Sequence, residues 1–204
     1  MGIIAVFGGT FNPIHLGHRE IIEEILKIDS VEKVIVIPTK IPPHKTVNYM
    51  ASEADRVNMC KLATEGLERV EVSDLELNRA GKSYTVDTVK ALCNQYRDKD
   101  IAITIGADMV VTFDEWKDYK TIVSLAKIIT FSRAGTDSED YAKGINFLKD
   151  IGASIYNVDR KISDISSSMV RDALADGKDL KDLLSDRVLE YIIENKLYGV
   201  NNDR

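Results

Sequence analysis

Short runs of valine and isoleucine, nearly free of polar interruptions, alternate along the chain with longer stretches whose apolar residues recur at helical spacing. Ile3 to Phe7, Lys33 to Ile37, Val70 to Val72, Ile101 to Ile105, Ile128 to Phe131 and Ser154 to Val158 are predicted strands. Continuous apolar character, in place of strict alternation, is what strands covered on both faces require. Between them His18 to Ile28, Ser52 to Gly66, Thr85 to Tyr96 and Ser138 to Ile151 are predicted helices. Strand and helix in turn give an α/β fold, a doubly wound, Rossmann-like parallel sheet with right-handed crossovers and helices on both faces. After Val158 the rhythm changes, and Ser167 to Ala175 and Ser185 to Asn195 follow as helices with no strand between them. The expectation is a single domain over residues 1–204, with a core of 1–160 and a small C-terminal helical appendage over 161–204.

With 204 residues and 44% hydrophobic content the chain can bury a sizeable core. Its 27 basic and 33 acidic residues leave a formal charge of −6, which argues against nucleic acid or an anionic membrane as partner. A polyanion would have to be held by a local cluster. No apolar run approaches the roughly 18 residues of a membrane span. The amino terminus runs straight into the first strand without the basic region of a signal peptide, so the expected location is cytoplasmic. Cys60 and Cys93 lie in predicted helices without C-x-x-C spacing and are read as reduced thiols, neither disulfide nor zinc ligands.

The first strand leads through Gly8-Gly9-Thr10-Phe11-Asn12-Pro13-Ile14-His15-Leu16-Gly17-His18 into a helix, the place where open α/β sheets bind ligands. Paired glycines let a backbone approach a phosphate, Asn12-Pro13 makes a tight turn, and a helix start offers unpaired N–H groups and a positive dipole end. His15 and His18 share one face of the first helical turn, with Gly17 leaving room for a ligand between them. Read as zinc ligands the pair lacks a third, and read as capping residues it would be inert; eleven connected residues of this kind favour a phosphate. A second loop, Pro38-Thr39-Lys40-Ile41-Pro42-Pro43-His44-Lys45, follows the second strand and sets His44 and Lys45 on a proline-stiffened frame. Ser166, Ser167 and Ser168 open a late helix; one of the first two can cap it, and Arg171 adds a permanent charge.

Taken together these stretches resemble the nucleotidyltransferase superfamily with the H-x-G-H element, and within it the bacterial nicotinate mononucleotide adenylyltransferases. Gly8 to His18 resembles the G-G-T-F-[DN]-P-x-H-x-G-H signature, Pro38 to Lys45 the P-x-x-x-P-P-H-K loop, and Ile165 to Arg171 the I-S-S-T-x-[IV]-R segment, with Ser168 in place of the usual Thr. Ser83 to Thr88 is similar to S-Y-T-x-D-T, and Gly106-Ala107-Asp108 to G-x-D.

The resemblance implies catalytic roles for His15, His18, Lys45 and Arg171. It implies an ATP site of Gly8, Gly9, Thr10, Phe11, His15, His18, Gly106, Asp108, Ser166, Ser167, Ser168 and Arg171. The acceptor site would hold His44, Lys45, Tyr84, Thr85, Trp116 and Arg133, with Trp116 stacked on a pyridine ring. The implied reaction moves the AMP part of ATP onto nicotinate mononucleotide, giving deamido-NAD and pyrophosphate. Mg²⁺ would arrive on the ATP phosphates, so no protein metal site is expected. The same first motif also suits a phosphopantetheine-type or other small-molecule nucleotidyltransferase, or a catalytically silent nucleotide-binding module. A homo-oligomer stays open.

Overall fold

The computed structural model describes residues 2–40, 50–131, 139–160 and 162–200. Six strands, β1 (Ile3–Gly9), β2 (Val31–Pro38), β3 (Val70–Val72), β4 (Asp100–Gly106), β5 (Ala126–Phe131) and β6 (Ile155–Val158), form one sheet in the order β3-β2-β1-β4-β5-β6. Every neighbouring pair is parallel. The strand order reverses between β1 and β4, so the loops leaving these two strands face each other across the crevice such sheets use for ligands.

The central strands feed both faces because successive side chains point to opposite sides. Ile3, Ala5 and Phe7 of β1 and Val34 and Val36 of β2 enter one core. Ile4, Val6, Ile35 and Ile37 enter the other. The first core is closed by α1 (Leu16–Leu26), α2 (Glu53–Ala63), α7 (Ser167–Asp176) and α8 (Asp186–Glu194), through residues such as Ile22, Met59, Val170 and Ile192. The second is closed by α3 (Thr85–Gln95), α4 (Ala107–Val111), α5 (Tyr119–Leu125) and α6 (Glu139–Asp150), through Val89, Val110, Ile122 and Leu148. Burying such aliphatic side chains stabilises the fold by about 1.5–3 kcal/mol each relative to leaving them exposed.

The predicted strands all form, with bounds shifted by one or two residues, and the predicted helices form in the described residues. A short segment was not predicted: α4, a 3-10 turn at Phe113–Glu115 and α5 fill the connection between β4 and β5. Gly144 of α6 packs against α4 so closely that a Cβ there would meet the Val110 carbonyl oxygen at 2.8 Å. The appendage ends in a second 3-10 turn, Leu197–Gly199, whose Leu197 and Tyr198 are buried in the first core. Tyr191 of α8 donates to the Asp55 carboxylate at 2.9 Å, tying α8 to α2. Among the described residues no helix is long and apolar enough to cross a membrane.

Candidate functional site

The loop leaving β1 turns sharply at Phe11, whose φ of 47° lies in the left-handed region that a bulky residue adopts at a cost of about 1–3 kcal/mol. Packing holds it there: the buried Phe11 ring sits 5.4 Å from Phe7 and 5.1 Å edge-on from His18. His15 is the N-cap of α1, and its backbone N–H donates to His18 Nδ1 at 3.3 Å. The two imidazoles stack with centroids 3.6 Å apart, His15 buried and His18 half-exposed. His18 is thus gripped on two sides by rings and by the turn of helix that carries it.

Two local readings of this loop change. Gly17 does not leave room for a ligand: a Cβ there would meet the Ser163 carbonyl oxygen at 3.2 Å and His15 Nδ1 at 3.3 Å, so its smallness admits the chain at Ser163. The first amide of α1 is not free for an anion either, because Leu16 N–H donates to the Leu183 carbonyl at 2.9 Å.

Residues from the far end of the chain fasten the same loop. Arg171 Nη1 donates to the Asn12 carbonyl at 2.7 Å and Nη2 to Ser168 Oγ at 3.2 Å. Ser167 Oγ donates to the Pro13 carbonyl at 2.9 Å, while Ser166 caps α7 by accepting from Met169 N–H. Asn12 is itself buried, and its Oδ1 accepts from Ala51 N–H at 3.0 Å and from the Tyr198 hydroxyl at 2.9 Å. An amide oxygen receives these two donors without burying a net charge. Helix α7 and the two-histidine turn are therefore one assembly.

A cavity of about 310 Å³ opens beside that assembly. Gly8, Gly9 and Thr10 form one wall, Gly106 and Asp108 another, and Ser83, Tyr84, Thr85, Trp116 and Lys117 a third. Trp116 closes the 3-10 turn and packs on Phe113 at 5.2 Å, half-buried, so it is both a packing anchor and a lining residue. Lys117 holds its ammonium 4.0 Å above the Tyr84 ring. Gly106 and Asp108, read from sequence with the ATP residues, line the same cavity as Tyr84, Thr85 and Trp116. His15, His18, Ser166, Ser167, Ser168 and Arg171 are grouped around Asn12 and Pro13, next to the cavity and outside its described lining. His44, Lys45 and Arg133 lie outside the described residues.

Sequence reasoning missed three contributors. Glu76 lines the cavity with little exposure and accepts from Thr88 Oγ1 at 2.7 Å, while Arg79 donates to the same hydroxyl oxygen at 2.8 Å. Tyr198 and Arg56 act from beneath the loops; neither carries a local sequence signal. Among the described residues no cluster of histidine, cysteine and acidic side chains could hold a metal ion.

A Rossmann-like sheet whose first loop carries paired glycines and two stacked histidines defines a nucleotidyltransferase-type α/β protein. The comparisons with known proteins agree: a family model described as cytidylyltransferase-like matches residues 6–173. A probable nicotinate-nucleotide adenylyltransferase of Shouchella clausii is 36% identical, covering 98% of this chain and 98% of the relative. One from Listeria monocytogenes is 35% identical over 96% of this chain and 97% of its own length. The chain belongs to the cytidylyltransferase-like family and, within it, to the nicotinate-nucleotide adenylyltransferases. In fold it is similar to the Plasmodium falciparum nicotinic acid mononucleotide adenylyltransferase complexed with NaAD, with a TM-score of 0.82, 20% identity and full coverage of both chains. The same enzyme complexed with APC matches at 0.82 and 19% identity, again over both full chains.

Proposed function

We propose that this chain transfers the adenylyl group of ATP to the 5′-phosphate of nicotinate mononucleotide, forming nicotinate adenine dinucleotide and releasing pyrophosphate. A phosphate oxygen of the acceptor attacks the α-phosphorus, a new P–O–P bond forms, and the bond to the pyrophosphate leaving group breaks. The acceptor phosphate is already ionised near neutral pH, so no strong general base is needed. Catalysis reduces to bringing two anions into line and stabilising the charge that develops.

The observation that carries this reading is a shared wall. Gly8, Gly9 and Thr10 border the cavity under Trp116 and Tyr84, and the same loop runs directly into the stacked His15 and His18. An acceptor ring against Trp116 would thereby bring its phosphate toward the histidines, where the ATP phosphates would lie with His18, Arg171 and the serines of α7. Mg²⁺ enters as MgATP, part of the substrate. Thr85, at the start of α3, would offer its backbone N–H to the acceptor carboxylate.

The test is pyrophosphate release and product mass with ATP and a panel of acceptors: nicotinate mononucleotide, its amide, and phosphopantetheine. Dinucleotide formation with the acid acceptor is the expected result. Turnover of phosphopantetheine alone, or none with any acceptor, would overturn the proposal.

A further inference from the structure

Arg56, early in α2, is the one charged side chain among the described residues with no exposed surface. Its Nη1 donates to two backbone carbonyls, that of Thr10 at 2.7 Å and that of Thr39 at 2.8 Å. Its Nε and Nη2 are buried and have no acceptor among the described residues. Burial is the largest influence on its titration and draws its pKa down, with Cys60, Glu53 and Tyr198 opposing. A buried cation with three of its five N–H donors unpartnered among the described residues is costly, and a methionine of similar volume would fill the space without that cost.

The two carbonyls explain the residue. Thr10 follows β1 and Thr39 follows β2, and both line the cavity. In a planar trans peptide the C=O and the following N–H point in opposite directions. Drawing the Thr39 carbonyl to Arg56 therefore turns the Lys40 N–H the other way, where it donates to Ser83 Oγ at 3.4 Å on the cavity wall. Drawing the Thr10 carbonyl inward turns the Phe11 N–H away from Arg56 in the same manner. One guanidinium nitrogen, its two N–H bonds fixed in the guanidinium plane, thus sets the orientation of two peptides on two loops.

We propose that Arg56 is a positioning residue for adenylyl transfer: it fixes the separation of the β1 and β2 loops, and hence of the two substrates, without touching either. The inference rests on the function proposed above. A lysine at this position keeps the charge, and its ammonium can donate to two carbonyls as Lys40 Nζ does to Leu77 and Arg79. Its donors rotate on a flexible stem, however, and are not held in the guanidinium plane, so the relative orientation of the two peptides is no longer fixed. Loops released in this way lose alignment, and a misplacement of about 1 Å costs on the order of 10²-fold in rate.

The experiment compares wild type, Arg56→Lys and Arg56→Ala in steady-state dinucleotide synthesis, with thermal melting of each. Arg56→Lys is expected to fold and to lose roughly 10- to 100-fold in kcat, with a raised KM for ATP. Arg56→Ala leaves a hole, and added ethylguanidinium should restore its rate where ethylammonium does not. A lysine variant with wild-type kcat and KM, or equal rescue by both additives, would overturn the inference. If the alanine variant does not fold, the lysine variant decides by its kcat. Wild type that makes no dinucleotide would defeat the functional reading itself, whereas active wild type with an unimpaired lysine variant defeats only this one.

Discussion

Around Asn12 and Pro13 most polar groups are held from far along the chain, by Ala51, Ser167, Arg171 and Tyr198, whereas around Trp116 much of the wall is made by near neighbours. Trp116 and Tyr119 both pack on Phe113, and a cation–π contact from Lys117 reaches out to Tyr84. The first region is over-determined: shifting one group means breaking charge-assisted or buried hydrogen bonds to several elements. The second can repack locally. Rigidity is concentrated where the proposed chemistry tolerates least displacement, and adaptability where a ring has only to be gripped.

Breaking the rigid side should therefore damage turnover, and breaking the adaptable side should damage binding. The largest effect is expected for His18→Ala, a fall in kcat of about 10²- to 10³-fold with the acceptor KM nearly unchanged. Near-normal dinucleotide synthesis by that variant would remove His18 from the chemistry. Next comes Trp116→Ala, which should raise the acceptor KM roughly tenfold, the equivalent of about 1.4 kcal/mol, and spare ATP. A selective ATP defect instead would exchange the roles of the two regions.

Tyr198→Phe sharpens the comparison at lower cost. It deletes one hydroxyl bonded to Asn12 and should remove about 1 kcal/mol of stability. In a chain of this length that corresponds to about 2–4 °C in Tm, read by calorimetry. An unchanged Tm would mean the turn is held adequately without the appendage. The smallest effect is on thiol labelling at mildly alkaline pH. Burial pushes the Cys60 thiol far up, and the half-buried Cys93 is raised less. Native protein should take up one equivalent of reagent, at Cys93, and the second only on unfolding; two fast equivalents would contradict the buried position of Cys60.

Much of this was legible beforehand, for reasons that particular residues make plain. β1 and β2 are runs of β-branched and apolar residues buried on both faces, and such runs are hard to mistake. The histidine pair and the serine cap were legible because helix starts leave local traces: Ser166 does accept from Met169 N–H three residues on. α4 and α5, at five and seven residues, are too short to display a helical period. Arg56 carries no mark in the sequence, since its partners are carbonyls 46 and 17 residues away and a backbone acceptor leaves no signature there. Tyr198 escaped for the same reason, its partner Asn12 lying 186 positions earlier. Gly17 was misjudged because sequence tells that a side chain is missing, but not which neighbour uses the space.

The contact between Gly144 and Val110 has a consequence at the other end of α4. Because the obstacle is a backbone carbonyl, no rotamer change could accommodate even a methyl group there, and α4 would have to retreat. Helix α4 bears Asp108, so its retreat would push a carboxylate into the chamber where substrate is expected. The outermost layer of the protein thus acts as a backstop that gauges the width of the interior, and a single hydrogen atom on α6 is part of that gauge.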